Sequence, residues 1–249
     1  MIFIPHDKKL DRSLTGYTLI MPSVSVGNVG QLAVDILITN LSTEKIGLIH
    51  HPAIYPLVGG DPYDPNSNDV VTSADLHLVH ELPLVIMQIR APLIKGERPK
   101  FLSELSAWCK SAGIQDIVLL ASCNAYERWE NNQLTGSQLR YLTSKVPQND
   151  VELLKSVGAS ELEERVDEFG NKHRFLSGAG FVKQFMETCD LPVAALFKFV
   201  DEGDNTHDAF VLVNFLNAWK KLLQTADPSW KAPFSWRNMF GGAAPNSIY

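Results

Sequence analysis

Tyr17-Thr18-Leu19-Ile20-Met21-Pro22-Ser23-Val24-Ser25-Val26-Gly27-Asn28-Val29-Gly30 passes from large and β-branched apolar residues into a turn marked by two glycines. The first six residues read as a short buried strand, and the glycines as a tight turn. A helix follows, in which Val29, Leu32, Ala33, Ile36, Leu37 and Leu41 fall on one face at the 3.6-residue period. Burying each large side chain of that stripe is worth about 1.5–3 kcal/mol, which offsets the ordering of the turn. Residues 46–50 supply a second strand. The resulting β-turn-α-β unit predicts parallel pairing of its two strands through a right-handed crossover.

Outward from this unit, Gly-Gly-Asp-Pro-Tyr-Asp-Pro-Asn-Ser-Asn at 59–68 is the densest turn cluster and predicts an exposed loop. Residues 75–81 alternate as a half-buried strand does, with Leu76 and Leu78 against His77 and Glu81, and 84–89 is an apolar strand expected to pair antiparallel with it. Pro99 opens a helix carrying Phe101, Leu102, Leu105, Trp108, Cys109 and Ala112, closed by Gly113. Residues 114–121 are almost wholly aliphatic, which suits a central strand. Residues 124–135 read as a polar loop, and 150–169 as an acidic, partly helical stretch. A strand at 174–176, a turn at Gly178-Ala179-Gly180 and a helix over 181–188 precede a buried strand at 192–200. Asp204 or Asn205 can cap a last long helix with Ala209, Leu212, Val213, Leu216, Trp219 and Leu223 on one face.

Strands alternating with helices predict an α/β fold, a single three-layer α/β/α domain around a central mixed, mostly parallel sheet. It is expected to span residues 1–225. Residues 226–249 then form an aromatic-rich tail, with Trp230, Phe234, Trp236 and Phe240, that packs on the domain and ends in a partner-docking terminus.

The chain has 249 residues, 45% hydrophobic and 20% charged, with 22 Lys and Arg against 28 Asp and Glu, a formal charge of −6. That composition is of a folded domain, and its acidic balance argues against nucleic acid or an anionic membrane as partner. Three cysteines (Cys109, Cys123, Cys189) cannot all pair internally, and reduced thiols predict a cytoplasmic and nuclear protein. The longest apolar runs are strand-sized, too short to span a bilayer, and the first residues lack the pattern of a secretory signal.

Candidate chemistry is sparse. Gly27-x-x-Gly30 lies between strand and helix but lacks the third glycine and the later acidic residue of a dinucleotide site, and the Lys-Ser/Thr of a P-loop, so no cofactor is expected. Ser23 and Ser25 at a strand end, with Asp204 and His207 later in the chain, partly match a hydrolase; an α/β hydrolase or nucleoside-processing enzyme using Ser25 and His207 is the alternative function. Cys123 ends a buried strand where packing alone explains it. On a strand His50-His51 and His77-x-x-His80 point to opposite faces, and Asp61 and Asp64 lack calcium-loop spacing, so no metal is expected. At the other end, Ile248-Tyr249 follows a glycine-rich approach. An apolar-aromatic end with a free carboxylate can plug a partner's pocket, the carboxylate pairing with a lysine.

Residues 21–35, Met-Pro-Ser-Val-Ser-Val-Gly-Asn-Val-Gly-Gln-Leu-Ala-Val-Asp, resemble the N-terminal signature of the proteasome assembly chaperone 2 family. So do Glu202-Gly203-Asp204-Asn205 with Asp208-Ala209, the closing Trp230-x-x-Pro233-x-Ser235-Trp236-x-x-x-Phe240-Gly241, and, between them, Gln138-Leu139-Arg140-Tyr141-Leu142 and Gly178-Ala179-Gly180. The resemblance runs through nearly the whole chain. It implies a non-enzymatic chaperone that forms a heterodimer with proteasome assembly chaperone 1, binds proteasome α subunits and promotes assembly of the α-ring of the 20S core particle. It also implies a C-terminal tail that docks between α subunits, with Ile248 and Tyr249 as its anchors. With Tyr249 last in this sequence, the carboxylate is expected on the tyrosine itself.

Overall fold

A computed structural model describes residues 1–6, 13–129, 131–135, 137–166, 169–224 and 229–239. In chain order its elements are β1 (Ile2–Pro5), β2 (Thr18–Pro22), α1 (Val29–Asn40), β3 (Thr43–His50), β4 (Val58–Gly60), β5 (Val70–Thr72), β6 (Ala74–Val79), β7 (Leu84–Ile89) and α2 (Arg98–Ala112). Then follow β8 (Asp116–Asn124), α3 (Asn131–Thr135), β9 (Leu139–Ser144), α4 (Gln148–Ser156), β10 (Ser160–Glu161), β11 (Arg165–Val166), β12 (Lys172–His173), α5 (Val182–Thr188), β13 (Val193–Val200) and α6 (Thr206–Lys220).

Nine of these strands make one mixed sheet in the order β1-β3-β6-β7-β2-β8-β13-β9-β10. The first-read strand, β2, lies in its middle, parallel to β7 on one side and β8 on the other. β13 continues the parallel centre beside β8, and β10 pairs parallel with β9, while β1, β3 and β6 pair antiparallel with their neighbours there and β9 runs antiparallel to β13. Each central strand buries both faces by alternation. Leu19 and Met21 of β2 join one core with residues of α2 and α5, whereas Ile20 joins a second core with residues of α1 and α6. That is the expected three-layer architecture.

The β2-α1-β3 unit departs from expectation in its pairing. β3 does not touch β2; its partners are β1 and β6, both antiparallel. The β6-β7 hairpin, antiparallel as expected, occupies the two places between. Burial explains the order. β7 is buried at every position, whereas Thr43, Glu44 and Lys45 of β3 are only half-buried and belong farther out. β6 is buried throughout rather than half-exposed; on its polar face Asp75 accepts from the backbone and hydroxyl of Thr72.

Two local expectations are revised, and of the two caps offered for the last helix the structure uses Asp204. Residues 174–176 form no strand. The loop at 124–135 contains a 3-10 turn, Ala125–Glu127, and α3. Asn205 stands at the start of α6, but its amide bonds the carbonyls of Asp201 and Gly203, while Asp204 accepts from Thr206 N–H at 3.0 Å. Gly113 ends α2 in the left-handed conformation (φ 82°), as read.

Gly30, in the first turn of α1, decides how close that helix lies to the sheet. A Cβ there would stand 2.2 Å from the Leu120 carbonyl oxygen of β8, a backbone atom that cannot step aside. Gly30→Ala is therefore expected to lower unfolding free energy by about 3 kcal/mol or more, whereas Gly96→Ala, with open space around its Cβ, changes it little. Urea titration of both variants measures the contrast.

Candidate functional site

The carboxyl ends of β2, β8 and β13 meet at one edge of the sheet, the place where open α/β sheets bind their ligands. Here protein fills it. Ser23 is fully buried; its hydroxyl donates to Ala179 O at 2.8 Å and accepts from Phe181 N–H at 3.0 Å. The Gly178-Ala179-Gly180 turn is thereby drawn onto residues 23–26, where Val26 N–H donates to Gly178 O at 2.8 Å. Gly180 adopts φ 66° with the Ser23 carbonyl 1.8 Å from where a Cβ would sit, so only glycine fits.

Ser25 is equally committed. Its Oγ lies 2.8 Å from Ser122 Oγ and accepts from Ser122 N–H at 3.0 Å. The Ser122 hydroxyl donates to Val26 O, so the Ser25 proton must go to Ser122 Oγ. A nucleophile needs that proton on a base. His207 is exposed at the start of α6 and reaches no hydrogen-bond partner among the described residues; Asn205, two residues earlier, is what packs over Gly27. The structure thus does not bring Ser25 and His207 into a catalytic pair. Nor is Cys123 reactive: burial pushes its thiol up to about 12. All three cysteines are free and buried. Among the described residues no three His, Cys, Asp or Glu side chains gather as a metal site. His51 Nδ1 instead accepts from Ala53 N–H at 2.9 Å.

Two features stand outside the expected sites. The first is a buried polar latch centred on Asp35 of α1. Its Oδ1 accepts from Tyr63 OH at 2.7 Å, Gln88 Nε2 at 2.7 Å and Arg90 Nη2 at 2.8 Å. The Arg90 guanidinium also lies 5.6 Å from the centre of the Tyr63 ring. Burial, and next the Asp35 charge, raise the Tyr63 phenol well above its ordinary value, so it remains a hydrogen-bond donor. The turn after β4 is thus pinned to helix and sheet together. A carboxylate between Val34 and Ile36 was the one signal available in the sequence.

The second is a strap formed by residues 229–239. Trp230 Nε1 donates to Asn214 Oδ1 of α6 at 2.8 Å. Asn40, at the end of α1, clasps Lys231 by two bonds, its Nδ2 donating to the carbonyl and its Oδ1 accepting from the N–H, both at 2.8 Å. Trp236 meets Phe210 edge to face at 6.2 Å, and Ser235 N–H reaches Pro62 O at 3.1 Å, next to the latch. The expected docking residues Ile248 and Tyr249, and Phe240, lie outside the described residues.

A family model described as the PAC2 family matches residues 19–217. The chain belongs to the PAC2 family. It is 35% identical, over the whole of both chains, to a Xenopus tropicalis protein named proteasome assembly chaperone 2. The Homo sapiens protein of that name is 36% identical, again over both full lengths. Among solved structures, Pyrococcus furiosus PbaA, described as an archaeal homolog of proteasome-assembly chaperone, shares the fold with a TM-score of 0.62 at 16% identity, covering 88% of each chain. In this PAC2-family chain the motif at 21–35 is therefore the closure of the sheet's carboxyl edge, with Asp35 as the latch.

His77, on β6 beside the latch, is buried with Nε2 unpartnered, and its ring meets Tyr63 edge to face. Burial lowers its pKa to about 4 from an ordinary 6.5. Between those values the unfolded chain binds the proton and the folded chain does not, so stability falls as pH drops through that window, by at most about 3 kcal/mol. His77→Phe should flatten this slope in urea titrations run from pH 7 to 4. For the strap, Asn40→Ala should speed amide exchange at 229–239 at least about tenfold and leave β2 and β8 protected, as hydrogen-exchange mass spectrometry would register.

Proposed function

We propose that this chain is a non-catalytic proteasome assembly chaperone. The observation that carries it is identity of 35–36% along the entire chain to proteins named proteasome assembly chaperone 2. The closed carboxyl edge supports it, since the serines that a hydrolase would use hold loops together instead. In its finer form, the chain pairs with proteasome assembly chaperone 1, and the heterodimer binds proteasome α subunits and promotes assembly of the α-ring of the 20S core particle. Three buried free thiols suit work in the cytoplasm and nucleus.

A capping chaperone must also leave. Tight binding alone cannot achieve this; the cap needs higher affinity for the immature ring than for the finished one. Ile248 and Tyr249 are the proposed anchors, the side chains supplying apolar area and the terminal carboxylate pairing with a lysine of the ring. The strap supports that role, because it ties the chain to the domain as far as Ser235 and Trp236, shortly before the anchors in sequence. A net charge of −6 would speed encounter with basic rims more than it would add affinity.

Affinity purification of the tagged protein should recover its partner chaperone and α subunits without mature β subunits; recovering no α subunits under mild salt rejects the proposal. Removing Ile248 and Tyr249 should weaken ring binding about tenfold or more while leaving the heterodimer intact. Equal ring affinity after truncation would show that the terminus is inert.

A further inference from the structure

Helices α2 and α5 cover one face of the sheet as far as β13. Beyond α5 the β11-β12 pair stands over β9, and a groove remains between hairpin and helix. Two cavities, of about 820 and 340 Å³, share His173, Arg174, Leu176, Lys183 and Glu187 and form that groove. Its floor is aliphatic, made by Leu142, Leu176 and Met186. Phe175, about half exposed, forms one wall, and its ring is also one side of a sandwich. The Arg165 guanidinium sits 4.7 Å from the Phe175 ring centre and 5.0 Å from that of Trp129, itself exposed. Arg165 is held there by the Glu127 backbone carbonyl and side chain.

Charge selects the occupant. Lys172 and Arg174 are neutralised by Glu164 at 3.5 and 3.3 Å, and Arg174 also by Glu161 at 2.6 Å. Arg98 and Lys183 also line the groove, and neither has an ion pair among the described residues. Arg98 Nε is buried without a partner. Against these two cations stands Glu187. Among the described residues the groove thus carries one positive charge in excess, on a chain of net charge −6. A partly exposed Trp-Arg-Phe cluster beside a depression has the make-up of protein-binding hot spots, and a floor of Leu and Met suits aliphatic and aromatic side chains better than stacked bases.

We propose that this groove binds an extended acidic segment of a partner protein, its apolar side chains on the Leu142-Leu176-Met186 floor and its carboxylates on Arg98 and Lys183. The site goes beyond the assembly role, and it can be measured on the purified full-length chain with no proteasome subunit present, so either can fail alone.

The probe is a fluorescein-labelled peptide, Gly-Glu-Leu-Glu-Phe-Glu-Leu, with a counterpart carrying Lys in place of Glu, both followed by fluorescence anisotropy. The acidic probe should bind saturably and more weakly as salt rises, and the basic one should not bind. Arg98→Glu with Lys183→Glu should weaken the acidic probe about tenfold or more, and Phe175→Ser should weaken it as well. Phe175 and Lys183 are exposed and Arg98 is half-buried, and unchanged circular dichroism of each variant verifies the fold. Equal binding of both probes, no binding by the acidic one, or wild-type affinity in the double variant overturns the proposal. So does tighter binding of a labelled oligothymidine. Displacement of the acidic probe by an unlabelled peptide of residues 240–249, at lower concentration than by unlabelled probe, would give the groove to the chain's own terminus and overturn it too.

Discussion

The carbonyl oxygen of Leu120 is the point on which the rest of the fold is hung. It accepts the Ser23 N–H at 3.0 Å, and the first turn of α1 settles against it because Gly30 offers no side chain there. With strand, turn and helix all referred to one atom of β8, the backbone between them has little freedom. Val24, Gly27 and Asn28 take left-handed conformations, which for β-branched Val24 costs about 1–3 kcal/mol. That strain persists only because both flanks are pinned, by Ser23 to the Gly178–Gly180 turn and by Ser25 to Ser122.

In a crest built in this way the hydroxyls of Ser23, Ser25 and Ser122 are all committed to bonds within the protein. In many α/β proteins the strand ends splay apart and leave a crevice. Here the same space is occupied by hydroxyls bonded to backbone and by glycines that let chains approach. The distinctive groups have moved outward: a carboxylate latch between α1, β7 and the turn at Tyr63, an aromatic strap lashed to Asn40 and Asn214, and a cationic groove beside α5. Such an arrangement presents surface and holds it rigid, which is what a protein that works by contact requires.

Much of this was legible before any coordinates. The strand at 18–22, the turn, and the helix stripe beginning at Val29 announce themselves by period and by glycine, as do α2 with its closing Gly113 and the aliphatic strand β8. Ser23 and Ser25 were conspicuous too, but their residue types are equally those of a nucleophile and of a loop clasp, and only their partners separate the two. The latch was hidden because Asp35 pairs with residues 28, 53 and 55 positions away. The groove was hidden for the same reason: Arg98, Leu142, Phe175 and Lys183 have no common period and meet only when α5 and the hairpin settle over β9.

Unaided, the order of residues established the class of fold and the places of its main helices and strands. These are properties of short windows, where side-chain period and turn chemistry act on neighbours within a few bonds. Tertiary structure alone decided that β6 and β7 would stand between β2 and β3, that two serines would close a crest, and that Asp35 would find Arg90. Each depends on which surfaces bury best once distant segments compete for the same partner, and that contest is settled by the whole chain at once.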